Sequence, residues 1–190
     1  MSSFEERRRA MIKDGEGCIT YMYLDTVGKV TVAVGQMLPT AAAAAAGLTF
    51  IRRDNGSQAT AAEISQDYQS VAQQTSGRVA SFYKQFTKLD MPEDAINELL
   101  DTRIEGFEAG LRRDFPNYDS YPDEAKLGLM DMAFNLGNQG LVSKFPTFTR
   151  AARAQSWRTC AQECQRIGIS DGRNAMTKQL FEDAATAAGQ

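Results

Sequence analysis

The sequence predicts an α+β fold with a small N-terminal lobe built on a β-hairpin and a larger, mainly helical C-terminal lobe. Three observations predict it. Residues 19–34 carry the strongest strand signal in the chain, with Ile19, Tyr21 and Tyr23 alternating on one face of a first strand and Val30, Val32 and Val34 alternating in a second. From about residue 79 onward nearly every segment reads as helix. Finally, 190 residues with 43% hydrophobic and 24% charged content suit a single soluble, globular domain with a substantial core. The lobes are expected at about 1–75 and 76–190.

The elements follow in order. Residues 3–13 read as a short helix, with Ser3 and Glu6 in a capping-box pattern and Gly15 and Gly17 ending the run. The words Asp25-Thr26-Val27-Gly28 supply turn chemistry between the two strands. A two-stranded hairpin alone is marginal, so it must pack on helices. Pro39–Ala46 reads as a helix stopped by Gly47, and residues 48–58 as an irregular or extended stretch with a turn at Asp54-Asn55-Gly56. Thr60 and Glu63 form a second capping box opening a helix to about Gln74, and residues 75–78 break it. Further helices are expected at 90–113, 123–136, 146–153, 156–167 and 174–187, with Pro92 and Pro122 near first-turn positions. Met130, Met132, Phe134 and Leu136 mark the most apolar helix as core, and the single tryptophan, Trp157, also reads as core.

Composition excludes several chemistries. The chain has no histidine, which removes Ser-His-Asp and Cys-His nucleophile systems and any His-ligated zinc site. A formal charge of −3 argues against a nucleic-acid partner. The run Glu5-Glu6-Arg7-Arg8-Arg9 is mixed in sign and reads as a solvated helix face. Cys160 and Cys164 are four apart in a helical pattern, where a disulfide is strained, so they read as thiols, and Cys18 is isolated. The N-terminus shows no secretory signal, and the longest apolar run, Ala41–Ala46, is too short for stable membrane insertion. No cofactor or metal is implied.

The residues with a chemical reading are Glu16, Asp25 and Thr31. Two carboxylates flanking a sugar are what glycosidic cleavage needs: an acid for the leaving oxygen and a second carboxylate that activates water or offsets positive charge. A partly desolvated Glu16 beside the hairpin suits the acid. Each residue also has a plain structural reading. Glu16 is then a solvated surface acid, Asp25 a turn former binding backbone N–H groups, and Thr31 an ordinary strand residue.

The joint pattern Glu16-x8-Asp25-x5-Thr31, with the words D-G-E-G, D-T-x-G and T-x-A-x-G, resembles the T-even phage lysozymes, glycoside hydrolase family 24. That family reads E-G, then Y-x-D-T-x-G, then T-I-G-I-G-H, with the same spacings. A second stretch, Met130 to Trp157, resembles the family's helix, glycine loop and short helix, and Phe134-Asn135-Leu136-Gly137 is similar to its F-N-x-G word. The resemblance implies a lysozyme-like fold with a cleft between the lobes. It assigns the general acid to Glu16, the water-directing or charge-stabilising carboxylate to Asp25 and a water-binding hydroxyl to Thr31. It places Asn135 at the substrate, and it likens Arg173, eight residues before Phe181, to an arginine that pairs with and tunes the acid.

The resemblance covers about 1–38 and 124–182, and the middle is longer than in small members, closer to pesticin-like and secretion-system effector lysozymes. Gln36 stands where the family has a structural histidine. The implied activity is a muramidase cleaving the β-1,4 bond between N-acetylmuramic acid and N-acetylglucosamine of peptidoglycan. Two alternatives remain open: a lysozyme-like module that binds glycan or a partner without cutting, and a lytic transglycosylase. Without a secretory signal, the chain is expected to be made in the cytoplasm and to reach the periplasm or cell wall through a secretion system or a holin. It would thus be an antibacterial effector with a cognate immunity protein, or a phage endolysin.

Overall fold

The computed structural model describes residues 2–190. The fold is α+β, as expected: 62% helix, one antiparallel sheet of three strands and one of two. The order is α1 (Phe4–Glu16), β1 (Ile19–Leu24), β2 (Val30–Ala33), β3 (Gln36–Met37), α2 (Ala41–Gly47), β4 (Ile51–Arg52), α3 (Ala61–Ala72), α4 (Ala80–Tyr83), β5 (Leu89–Asp90) and α5 (Glu93–Asp114). Then follow α6 (Asp123–Leu136), α7 (Asn138–Lys144), α8 (Pro146–Arg153), α9 (Trp157–Glu163) and α10 (Asp171–Ala187). The chain divides into two compact units, Met1–Gly15 with Thr102–Gln190, and Glu16–Asp101. The division falls inside α1 and inside α5, and the break at 75–78 lies within the second unit.

In the Glu16–Asp101 unit, β1, β2 and β3 form a meander with Tyr23 opposite Thr31 and Thr31 opposite Met37. The expected alternation of Ile19, Tyr21 and Tyr23 is interrupted. The register shifts between Ile19 and Tyr23, and Tyr21 and Met22 are buried side by side. A bulge of this kind bends the strand and re-aims its side chains. Residues Val30 to Val34 are all buried, so β2 is covered on both faces. The turn into β3 uses Ala33 at φ 54° and Gly35 at φ 70°. Within 48–58, expected to be irregular or extended, Ile51 and Arg52 are extended and pair with Asp90 and Leu89. The Met91 amide donates to the Thr20 carbonyl at 2.7 Å, tying this second sheet to β1.

In the other unit, α6 is the core. Met130, Met132 and Phe134 are buried, while Leu136 is half-buried. Trp157 is 1% exposed and meets Tyr121 edge to face, ring centroids 4.9 Å apart, so its core reading holds. The charged N-terminal run is less solvated than expected. Arg8 pairs with Glu108 at 2.6 Å with both side chains nearly buried, and Arg7 reaches Glu124 at 3.2 Å. Gly15 does not end α1; the helix continues to Glu16, and Gly17 at φ 79° stops it. The helix expected at 156–167 ends at Glu163, because the Arg166 amide donates instead to Asn174 Oδ1 at 3.0 Å and Gly168 turns the chain at φ 86°. The helix expected from 174 begins at Asp171, capped by the Ser170 hydroxyl accepting from the Arg173 amide.

Cys160 and Cys164 are buried thiols, and no disulfide occurs among the described residues. Burial pushes the Cys160 thiol up to about 12, so it stays protonated near neutral pH. No helix of the described residues is long and apolar enough to cross a membrane.

Candidate functional site

Asp25 sits where β1 enters the turn. Its Oδ1 accepts from the Val27 amide at 3.0 Å and the Lys29 amide at 2.8 Å. Its backbone completes the turn: the Asp25 amide donates to the Lys29 carbonyl, and the Gly28 amide donates to the Asp25 carbonyl. Gly28 lies at φ 78°, a conformation that costs a glycine nothing. The structural reading of Asp25 therefore holds for Oδ1. Oδ2 takes no hydrogen bond from the described residues, so one oxygen of a rigidly held, half-buried carboxylate stays available.

Thr31 is 2% exposed and donates its hydroxyl proton to the Lys29 carbonyl at 3.1 Å. That leaves the oxygen lone pairs as acceptors. Thr31 pairs with Tyr23 of β1, and Asp25, one residue past the end of β1, donates its amide to the carbonyl of Lys29, two residues before Thr31, so Asp25 and Thr31 lie at the same end of the hairpin. Tyr23, the cross-strand partner of Thr31, is half-buried. Burial, then the charge of Asp25, then Cys18 push its phenol above its ordinary value.

Glu16 is the exposed last residue of α1, followed by Gly17 and then, two residues on, by β1. Glu16, Asp25 and Thr31 thus all belong to the Glu16–Asp101 unit, with Glu16 before the start of β1 and Asp25 just past its end. Asn135 and Arg173 belong to the other unit. Asn135 is half-buried in the last turn of α6 and makes no side-chain hydrogen bond among the described residues.

Arg173 is far from an ordinary surface residue. Its side chain is 9% exposed, and it pairs with Asp131 Oδ1 at 2.8 Å through Nε and Nη2. Its Nη1 donates to the Gly15 carbonyl at 2.8 Å. A Cβ on Gly15 would sit 2.9 Å from Arg173 Cζ, so the missing side chain is what admits the guanidinium. Within one unit, the end of the Met1–Gly15 segment is thereby bonded to α10.

Sequence reasoning missed the centre of this arrangement. Asp131 is fully buried on α6. Its Oδ2 accepts from Arg166 Nη2 at 2.5 Å and lies 2.6 Å from the Thr177 hydroxyl, which itself accepts from Arg166 Nη2 at 2.7 Å. One buried carboxylate so holds two guanidinium groups, as desolvated charges must be held. The signal was present: an aspartate between Met130 and Met132, in a helix apolar on all sides, requires a cationic partner.

No protein-family model matches the sequence, and none of the curated proteins is significantly similar to it. Among the described residues no cluster of acidic, cysteine or histidine side chains could hold a metal ion.

Proposed function

We propose that the chain is a peptidoglycan hydrolase of the T-even phage lysozyme type, a lysozyme-like muramidase. Glu16 protonates the glycosidic oxygen as it leaves the anomeric carbon. Asp25, through its unengaged Oδ2, takes a proton from the attacking water, and the Thr31 oxygen accepts that water's second hydrogen. The observation that supports this reading is the placement of Asp25 and Thr31 at the same end of the hairpin, each fixed by local hydrogen bonding that leaves an acceptor open. Pre-positioned acceptors of this kind lower the cost of ordering a water. The motif spacing and the absence of histidine support the same chemistry. The resemblance likens Asn135 to a substrate-binding residue and Arg173 to one that tunes the acid; Arg173 holds the Gly15 carbonyl within its own unit. The partner is the glycan strand, reached through a secretion system or a holin, with an immunity protein in the effector case.

The test is digestion of purified peptidoglycan followed by mass spectrometry of the released muropeptides. Fragments with new reducing N-acetylmuramic acid ends are expected. Glu16→Gln is expected to lower the rate by about 10²–10⁴-fold, the usual worth of a general acid. Undiminished activity of Glu16→Gln would sink the assignment. Anhydro-muropeptides would make the protein a lytic transglycosylase, and glycan binding without release would make it a binding module.

A further inference from the structure

The Glu16–Asp101 unit contains a second polar site, built by β4, α3 and the residues leading into β5. It is a cavity of about 450 Å³, large enough for a small molecule. Its buried wall is Asp67, only 5% exposed. Asp67 Oδ2 accepts from the Lys88 amide at 2.8 Å and the Leu89 amide at 2.9 Å. Oδ1 takes no hydrogen bond from the described residues. Burial raises the Asp67 carboxyl above its ordinary range, while the two amides and the charges of Arg53 and Lys88 pull it back. Oδ1 opens onto the cavity and is not a sealed, unsatisfied atom, so with Oδ2 fixed by two amides its lone pairs are oriented toward a donor from outside the chain.

The rest of the lining offers donors. Arg52 commits Nε and Nη2 to Glu63 and Nη1 to Ser57 and the Gln58 carbonyl, which leaves one Nη2 hydrogen unused. Arg53 Nη1 donates only to the Thr87 carbonyl, which leaves one hydrogen there. Lys88 presents an exposed ammonium with no side-chain hydrogen bond. Arg52, Arg53 and Lys88 are balanced by Asp54, Glu63 and Asp67, so the site favours neither a simple cation nor a simple anion. No aromatic ring lines it, so it has no stacking surface for a sugar face or a base.

We propose that this cavity binds a small zwitterion, a free amino acid or the end of a short peptide. Its ammonium donates to Asp67 Oδ1, and its carboxylate accepts from Lys88 and the unused guanidinium hydrogens of Arg52 and Arg53. The site is separate from Glu16, Asp25 and Thr31 and stands whether or not the chain cleaves glycan.

The test is an NMR titration of the purified full chain with glycylglycine, with acetate and ethylamine as one-ended probes. Saturable shifts of the Lys88 and Leu89 amides are expected with glycylglycine, and about tenfold weaker binding of either one-ended probe, since each forfeits one charge-assisted contact. Asp67→Asn is expected to weaken glycylglycine by about tenfold. Because Asp67 also holds two backbone amides, Lys88→Ala is the second variant. It removes an exposed ammonium and is expected to weaken glycylglycine and acetate while sparing ethylamine. No saturable shift with glycylglycine, equal binding of a one-ended probe, or an unchanged Lys88→Ala titration would each overturn the proposal.

Discussion

Asp131 is the residue on which most of the C-terminal architecture converges. Its two oxygens hold Arg166 from the segment before α10, Arg173 within α10 and the Thr177 hydroxyl one turn on. Removing one partner of such a group leaves uncompensated charge in a dry site, which costs about 3–5 kcal/mol. Asp131→Asn keeps the shape and removes the charge, so urea denaturation should show a stability loss of about that size. A loss below about 1 kcal/mol would mean that water enters the network and that the pairing is not dry. Asp25 works at the same scale with a different division of labour. One oxygen closes the turn and the other is open, so the structural and functional readings of the residue are compatible.

The capping box of α3 formed as the sequence indicates. The Thr60 hydroxyl accepts from the Glu63 amide, and the Glu63 carboxylate accepts from the Thr60 amide. Glu63 is also gripped by Arg52 through two bonds of 2.7 Å. The Arg52 hydrogen bonds, then those from Thr60, lower the Glu63 carboxyl to about 2. A depressed acid stabilises the fold above its unfolded value and loses that contribution as pH falls through the folded one. The helical signal of α3 should therefore decline between about pH 4.5 and pH 2. Glu63→Gln should flatten that segment of the acid titration followed by circular dichroism, and an unchanged profile would show that the cap does not drive it. Elements with such local chemistry were legible. Residues 123–136 and 146–153 form helices at the expected ends, marked by Pro122, Gly137 and Pro146. Elements made by distant partners were not. β5 is two residues long, too short for alternation, and exists because Ile51 and Arg52 lie opposite. Helix α7 starts directly from Gly137 at φ 73°, and its sequence NQGLVSK carries no apolar period. The same limit applies to the sites. Asp25 and Thr31 are near in sequence and could be paired by counting, whereas Asp131 with Arg166 and Asp67 with Leu89 depend on contacts between separate segments. Asp67 did leave a trace, standing between Ile64 and Val71 on the buried stripe of α3.

At the scale of the whole molecule, charge sets how the protein approaches its proposed substrate. The chain carries −3 with a sequence pI near 5.1, and it has no histidine to moderate that near neutral pH. Peptidoglycan bears free carboxylates on its stem peptides, so enzyme and wall repel each other at pH 7. The repulsion extends over about 30 Å at 0.01 M salt and about 8 Å at 0.15 M. Added salt should therefore raise the rate on insoluble peptidoglycan, by roughly twofold across that interval, because long-range repulsion lowers the encounter rate without touching the bound complex. A basic enzyme shows the opposite slope, since salt screens an attraction. The sign should also reverse for this protein below its isoelectric point, where its net charge becomes positive. Measuring initial rates at pH 7 and at about pH 4.5 across the same salt series separates charge from specific ion effects, which would act alike at both. A rate that falls with salt at pH 7 would show that a local cluster of arginines, rather than the net charge, governs the approach to the wall.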